Sequence, residues 1–385
     1  MTLRKIAFVK CGSFSHINAS VEAQLRKHFP ECEVVTLDVA EKLRRSKLAL
    51  ARGLWDGALR HGWKLRADLL DGVLQTPATF YFIQRWLAEA VRAPEFLFTF
   101  QTQSMWDASV PGLPHFVYTD HTEQANRQYH DFDPGQLKGA WWTALETQIY
   151  RHATVTLTMS SHVTRSLLQD YGCPPARVRR VGAGSNAPVT GAREIDSARY
   201  GRKEILFVGT DWERKGGPQL VAAFQKVRQR HPDARLKIVG CAPSLEVPGC
   251  EVLGRRSLAE VAQAYASASV FCLPTRQEPF GIVLIEAMLS GLAIVATDAG
   301  AVPDLVEDGV NGRRVALDDL EGLADALIRL LDQPDELEAQ GRRSAHTARQ
   351  GHTWDHVGAR IRNEIEPQVP ELFGARNQPE AICAS

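Results

Sequence analysis

The chain has 385 residues, with 45 Lys and Arg balanced by 45 Asp and Glu. That length exceeds what one hydrophobic core usually supports, so two domains are expected. A formal net charge of zero lacks the concentrated positive field that general nucleic-acid binding requires, so nucleic acid is not an expected partner. No apolar run approaches the ~20 residues a membrane helix needs. Seven cysteines stand singly at Cys11, Cys32, Cys173, Cys241, Cys250, Cys272 and Cys383, without metal-ligand spacing, which points to a reducing compartment and no zinc. Residues 6–9 are the only apolar stretch at the amino terminus, between charges. They read as a strand and not a signal peptide, so a cytoplasmic protein is expected.

In chain order, residues 6–9 predict the first strand, and the loop Gly12-Ser13-Phe14-Ser15-His16 follows it. A helix is expected over about 21–29, a strand over 33–37, then a long helical stretch. That stretch holds Lys42, Arg44, Arg45, Lys47, Arg52, Arg60, Lys64 and Arg66 interleaved with Leu43, Leu48, Leu50, Leu54, Trp55, Leu59 and Trp63. Two readings stay open for residues 42–66: peripheral contact with an anionic membrane, or a surface helix whose basic side chains snorkel. Further strands are expected near 96–100, 115–118 and 154–158. The segment Thr119-Asp120-His121-Thr122 then lies at a strand's carboxyl edge. From 170 to 201 the chain becomes polar and rich in Pro, Gly and Ala, the expected end of one domain and a linker.

Two other motifs compete for attention. Gly182-Ala183-Gly184-Ser185-Asn186-Ala187 fits a dinucleotide fingerprint, but Pro188 and Gly191 deny it the long helix it needs, so a loop is expected. Asp131-Phe132-Asp133 has the form of a metal-binding acid pair, yet no apolar strand precedes it and Pro134-Gly135 follows. A solvated loop is the expected context, and no metal is expected.

The second half carries the strongest signals. Apolar residues 205–208 predict a strand, the turn Gly209-Thr210-Asp211-Trp212-Glu213-Arg214-Lys215-Gly216-Gly217 follows, and Pro218 opens a helix. Residues 270–273 are an uninterrupted apolar run, as in a strand buried on both faces of a parallel sheet. Then comes Arg276-Gln277-Glu278-Pro279-Phe280-Gly281-Ile282-Val283-Leu284-Ile285-Glu286. This places Glu278 in a strand-to-helix loop and Glu286 inside the helix, with the amides of Phe280, Gly281 and Ile282 as an anion cradle at the helix start. Ligands of doubly wound sheets bind at strand carboxyl ends, so the loops after Gly209, Gly240, Pro274 and Thr297 should converge. Helices are expected over 320–331 and 336–350, and a disordered tail beyond Pro370.

Glu-Pro-Phe-Gly followed by a second Glu resembles the Glu-x7-Glu signature of the retaining, glycogen-synthase-like (family 4 type) glycosyltransferases. The resemblance implies an α/β architecture of two facing Rossmann-like domains, the GT-B fold, with an interdomain cleft and a final helix returning to the first domain. The implied limits are 1–185 for the acceptor-side domain, 186–201 for a linker and 202–352 for the nucleotide-sugar domain. Residues 353–370 would be the returning helix and 371–385 a tail. By the same resemblance Glu278 lies beside the donor sugar, Glu286 accepts from the ribose hydroxyls, Lys215 contacts the diphosphate, and His121, with Asp120 beside it, meets the sugar from the first domain. The family usually has an Arg after the strand's Gly209, where this chain has Thr210; Arg214 would supply that charge, with Arg276 a weaker candidate. Relatives carry two adjacent glycines where this chain has Gly12 alone.

The implied activity is metal-independent transfer, with retention, of a hexose-type sugar from a nucleoside diphosphate sugar to a glycan, lipid-linked or small-molecule acceptor. No cofactor beyond that donor is implied. A sugar-nucleotide 2-epimerase and a catalytically idle sugar-nucleotide-binding subunit remain alternatives with the same architecture.

Overall fold

The computed structural model describes residues 4–14, 16–61, 69–186 and 196–375. It divides into two compact units, the first made of residues 1–126, 133–182 and 357–385, the second of 127–132 and 183–356.

The first unit contains a parallel sheet of six strands: β1 (Arg4–Lys10), β2 (Cys32–Asp38), β3 (Phe96–Thr102), β4 (His115–Thr119), β5 (Val155–Thr158) and β6 (Val178–Arg180). Their order is β2-β1-β3-β4-β5-β6. Every residue of β3, β4 and β5 is buried, which is why these strands appear in the sequence as continuous apolar or Thr-rich runs without alternation. Register sets Phe8 of β1 opposite Phe100 of β3, and Phe100 opposite Phe116 of β4, so aromatic rings form the centre of the sheet. β6 falls inside the stretch expected to close the domain and lead into a linker. Its Val-Arg-Arg sequence buries only Val178, so an edge strand hides among polar residues.

The helix after β1 runs Ile17–His28 rather than from 21. Its first turn is polar in sequence, but Asn18 is buried, bonding the carbonyls of Cys11 at 3.2 Å and Gly12 at 2.9 Å and accepting from the Thr102 hydroxyl at 2.7 Å. The long helical stretch resolves into Val39–Arg45, Lys47–His61, Leu69–Leu74 and Pro77–Ala90. Helix Trp354–Ile365 lies within residues 353–370, where the resemblance implies a final helix. Within the first unit Arg362 donates to the His28 carbonyl at 2.6 Å, pairs with Glu31, and stacks 4.8 Å from the Phe29 ring centre. The segment Pro370–Ala375 forms a 3₁₀ turn with Leu372 buried, where disorder is expected from the sequence; residues 376–385 of the expected tail lie outside the described residues.

The second unit holds β7 (Glu204–Val208), β8 (Arg235–Val239), β9 (Cys250–Gly254), β10 (Val270–Leu273), β11 (Ala293–Thr297) and β12 (Gly312–Val315), all parallel. The order is β12-β11-β10-β7-β8-β9. β7, β10 and β11 are buried throughout, as their apolar runs demand, whereas the edge strands β9 and β12 are half-exposed and polar. Helices Gly217–Arg230, Leu258–Ser267, Ile282–Leu289, Leu320–Asp332 and Pro334–Gly351 complete the unit. Two six-stranded parallel sheets clothed in helices make this an α/β protein of GT-B architecture.

Candidate functional site

In the second sheet the winding direction reverses between β7 and β10, which are hydrogen-bonded neighbours. The carboxyl ends of two such strands flank the crevice where doubly wound sheets bind ligands. The loop after β7 carries Lys215 and the loop after β10 carries Glu278. The structure joins them: the Lys215 ammonium pairs with Glu278 Oε2, with only 11% and 4% of the two side chains exposed.

The backbone holds that pair in place. The Arg276 N–H donates to the Arg214 carbonyl at 2.8 Å, and the Arg214 guanidinium donates to the Gln277 carbonyl at 2.9 Å and to Asp211 at 3.1 Å. Arg214 thus braces the two loops together, its charge balanced by Asp211. Gly216 sits at φ +75°, and a Cβ there would lie 1.8 Å from the Pro274 carbonyl oxygen, so only glycine permits this approach. Gly209, at the end of β7, donates to the Val239 carbonyl of β8 at 2.9 Å. From the loop after β11, the Ala301 N–H donates to the Glu278 carbonyl at 2.9 Å, and Gly300, at φ +56°, passes so close that a Cβ would come 2.0 Å from that oxygen. The loops after β7, β10 and β11 therefore converge, as expected from their places at the strand ends.

The helix after Glu278 begins three residues beyond Pro279, which therefore lies before its first turn. Its first residue is Ile282, with Gly281 as N-cap at φ +91°, and Phe280 is buried outside it. A Cβ at residue 281 would press within 2.9 Å of Leu284, which again selects glycine. The first intrahelical bond runs from the Leu284 N–H to the Gly281 carbonyl at 2.9 Å. The helix-start amides are consequently those of Gly281, Ile282 and Val283, one position beyond the cradle of Phe280, Gly281 and Ile282 read from the sequence. Glu286, in the second turn, is 8% exposed and accepts from the Tyr265 hydroxyl at 3.2 Å.

Three of the sequence candidates belong to the first unit. Gly12 opens the loop after β1 at φ +53°, its N–H 3.4 Å from Asp38 and its carbonyl accepting from Asn18. Asp120 is half-buried after β4. His121 follows it, with Nε2 at 3.1 Å from Asn126 Oδ1, Nδ1 buried without a partner, and burial pushing its pKa down to about 4. The imidazole is therefore neutral around pH 7. A network that the sequence reading missed fixes the His121 loop. The buried Glu146 carboxylate accepts from Tyr150 at 2.9 Å, from Ser104 at 3.2 Å, from the Glu123 N–H at 3.1 Å and from Tyr171, while Ser104 also lies 3.3 Å from the His121 carbonyl. Glu146 and Tyr150 are an i, i+4 pair on one helix, but no spacing rule links them to residues 104, 123 and 171; only the fold brings those together.

The competing motifs are occupied structurally. Asp133 caps a 3₁₀ turn through the Gly135 N–H at 2.8 Å, and Asp131 pairs with Arg276, which also binds Asp318 at 2.6 Å. That double pairing commits Arg276 to acids. Gly184 of the Gly-x-Gly segment lets Trp354 approach, a Cβ there meeting its N at 2.4 Å. Residues 187–195, including the last Ala of that motif, lie outside the described residues. Among the described residues no three metal-ligating side chains cluster.

Residues 202–333 match the family model for glycosyl transferases group 1. That span includes Gly209, Arg214, Lys215, Tyr265, Glu278 and Glu286. The chain is 38% identical over 202 residues to a phosphatidyl-myo-inositol mannosyltransferase of Mycolicibacterium smegmatis, which covers 49% of this chain and 52% of the relative. It thus spans about half the length of the curated relatives it matches first. Among solved structures, the sucrose-phosphate synthase of Thermosynechococcus elongatus aligns over 97% of this chain and 100% of its own, at TM-score 0.68 and 17% identity. Anabaena HepE in complex with UDP and glucose aligns over 94% and 99%, at TM-score 0.64 and 15% identity. At these identities the two structures speak to the fold alone.

Proposed function

We propose that this chain is a retaining, metal-independent glycosyltransferase that moves a hexose-type sugar from a nucleoside diphosphate to a hydroxyl of a glycan, lipid-linked or small-molecule acceptor. The observation that carries this reading is the Lys215–Glu278 pair at the sheet's switch point, inside the segment that matches the glycosyl transferases group 1 model. Leaving-group chemistry explains why both charges belong there. As the glycosidic bond breaks, positive charge builds on the sugar and negative charge on the diphosphate. Glu278 faces the first, and Lys215 with the amides of Gly281, Ile282 and Val283 receives the second. Glu286 reads the ribose. The family resemblance is what assigns roles to neutral His121, to Asp120 and to the Gly12 loop, and it gives the acceptor to the first unit. The mannosyltransferase relative supports transfer of a hexose.

Incubation with a panel of nucleotide sugars and candidate acceptors, in EDTA, tests the assignment. Sugar transfer or slow donor hydrolysis is expected, with anomeric configuration kept. A product epimer without transfer would identify a sugar-nucleotide 2-epimerase, and binding without turnover an idle binding subunit. Loss of turnover in EDTA that manganese or magnesium restores would refute metal independence.

One surface favours a lipid-linked acceptor met at a membrane. Among the described residues no helix is long and apolar enough to cross a membrane. Helix Lys47–His61, however, exposes Leu48 at 64%, Trp55 at 63% and Leu59 at 69%, spaced along one face with exposed Arg52 between them and Arg44, Arg45 and Lys47 alongside. Such a face suits peripheral contact with an anionic leaflet from the cytoplasmic side. Arg60, Lys64 and Arg66 of the same basic run lie outside the residues whose side chains are described. Co-sedimentation with phosphatidylglycerol vesicles but not phosphatidylcholine vesicles is expected, and Trp55→Ser with Leu59→Ser should abolish it; equal recovery with both lipids would sink the idea.

A further inference from the structure

The Glu286 carboxylate does not stand alone on its helix. Tyr265, on helix Leu258–Ser267 between β9 and β10, is wholly buried, and its ring packs against Phe271 of β10 with centroids 5.8 Å apart. Its hydroxyl lies 3.2 Å from two acceptors, the Val283 carbonyl and Glu286 Oε2. One acceptor belongs to the first turn of helix Ile282–Leu289 and the other to the side chain one turn on. A single hydroxyl therefore ties the helix start, where the diphosphate would meet backbone amides, to the carboxylate that would meet the ribose. Burial and the nearby Glu286 charge push the Tyr265 pKa well up, so the hydroxyl keeps the proton it donates.

We propose that Tyr265 is a positioning residue for the donor nucleotide, its hydroxyl holding the Glu286 carboxylate in the orientation that accepts the ribose hydroxyls. This rests on the reading of Glu286 given above. A glutamate has three side-chain torsions to immobilise, and each left free costs affinity when ligand binding must fix it. The Tyr265 hydroxyl stops the last of them before the nucleotide arrives. The ring anchors that hydroxyl rigidly because it is packed between the helix and β10, so the constraint comes from the core and not from a mobile loop. The sequence gives no hint of it: Tyr265 lies 21 positions before Glu286 and outside every recognisable motif.

Tyr265→Phe isolates the hydroxyl, since the ring and its packing remain. Calorimetry with UDP and GDP, and with their 2′,3′-dideoxy counterparts, reads the effect. The variant should bind the ribonucleoside diphosphate that the protein prefers about 3- to 10-fold more weakly, the scale of one ordinary hydrogen bond. It should bind the dideoxy form as the unaltered protein does, raise the donor KM and leave kcat within about twofold. In a Glu286→Ala background the same change should add nothing, because the group it positions has gone. Equal weakening of ribo and dideoxy ligands, or no weakening of either, would overturn the role of Tyr265 alone. If the unaltered protein bound both forms equally, the ribose role of Glu286 would fall and this inference with it; if it bound no nucleoside diphosphate, the proposed function itself would fall.

Discussion

The Lys215 ammonium and the Glu278 carboxylate meet at the carboxyl ends of β7 and β10, the two strands between which the second sheet changes direction. Both charges are nearly buried, so neither can be removed without stranding the other. Breaking a buried pair from one side typically costs about 3–5 kcal/mol, whereas removing both partners costs far less. Lys215→Met and Glu278→Leu should therefore each destabilise the protein, and the double variant should recover at least half of the larger loss. Denaturant melts of the four proteins check this; additive losses would show that the pair is not a unit. Lys215→Ala should in addition weaken nucleoside diphosphate binding by about 1.5–3 kcal/mol, the range for a charge-assisted hydrogen bond, in protein shown to be folded.

Gly300 supports the same pair through the backbone. Its αL conformation and the 2.0 Å clearance a Cβ would have to the Glu278 carbonyl mean that Gly300→Ala must push the Glu278 loop aside. A displacement near 1 Å at a reacting centre costs on the order of 10²-fold in rate. Gly309→Ala is the control, since Gly309 also has positive φ, at +75°, but its nearest neighbour would be the flexible tip of Arg313 at 3.5 Å. Loss of kcat in the first variant and not in the second is expected. Equal losses would trace the effect to backbone strain alone.

The sequence reveals the places of Lys215, Glu278 and Glu286 because each lies in a strand–loop–helix unit whose apolar runs are continuous and whose breakers, Gly209, Pro274 and Gly281, punctuate the ends. Strands buried on both faces announce themselves; the edge strands β6, β9 and β12 do not, since a polar edge looks like a loop. The amide cradle shifts by one residue because Pro279 suits a first turn, while Gly281 takes the αL cap that only the folded loop requires. Tyr265 and Glu146 are illegible for a different reason. Their roles are set by hydroxyl and carboxylate contacts between elements distant in sequence, and no local pattern encodes those. Arg214 shows the limit from the other side: its sequence position suggests a phosphate ligand, and its guanidinium is bonded to Asp211 and the Gln277 carbonyl.

Glu146 supplies a dependence on pH. Burial raises its pKa from 4.5 to about 7, against the opposing pull of the Tyr171 and Tyr150 hydroxyls. Between those values the folded protein holds a proton that the unfolded chain has released, so this group's contribution to stability is intact below about pH 4.5 and is lost as pH rises through 7. Glu146→Gln removes the titration, so the melting temperature of the variant relative to the unaltered protein should climb from pH 5 to pH 8. The free-energy span is at most about 3 kcal/mol. A constant difference across that range would contradict the assignment. His121 should add no limb to the pH–rate profile between pH 5.5 and 7.5, since burial holds its pKa near 4.

The two carboxylates of the Glu-x7-Glu segment should separate by kinetics. Glu286 lies in the second turn of its helix, tied to Tyr265, where it would hold the ribose equally in the ground and transition states. Interactions that do not change along the reaction lower KM without raising kcat, so Glu286→Gln should mainly raise the donor KM. Glu278 sits in the loop beside Lys215, where charge develops as the sugar leaves. Loss of one preorganised charge at such a place lowers kcat by roughly 10²–10³, and Glu278→Gln should show that loss at saturating donor. Glutamine keeps the size and one acceptor oxygen of glutamate, so Lys215 retains a partner and the Glu278 variant should still bind free nucleoside diphosphate almost normally. Steady-state kinetics with a common donor and acceptor measure both constants. The reverse pattern, or full activity in both variants, would show that this segment does not form the sugar-nucleotide site.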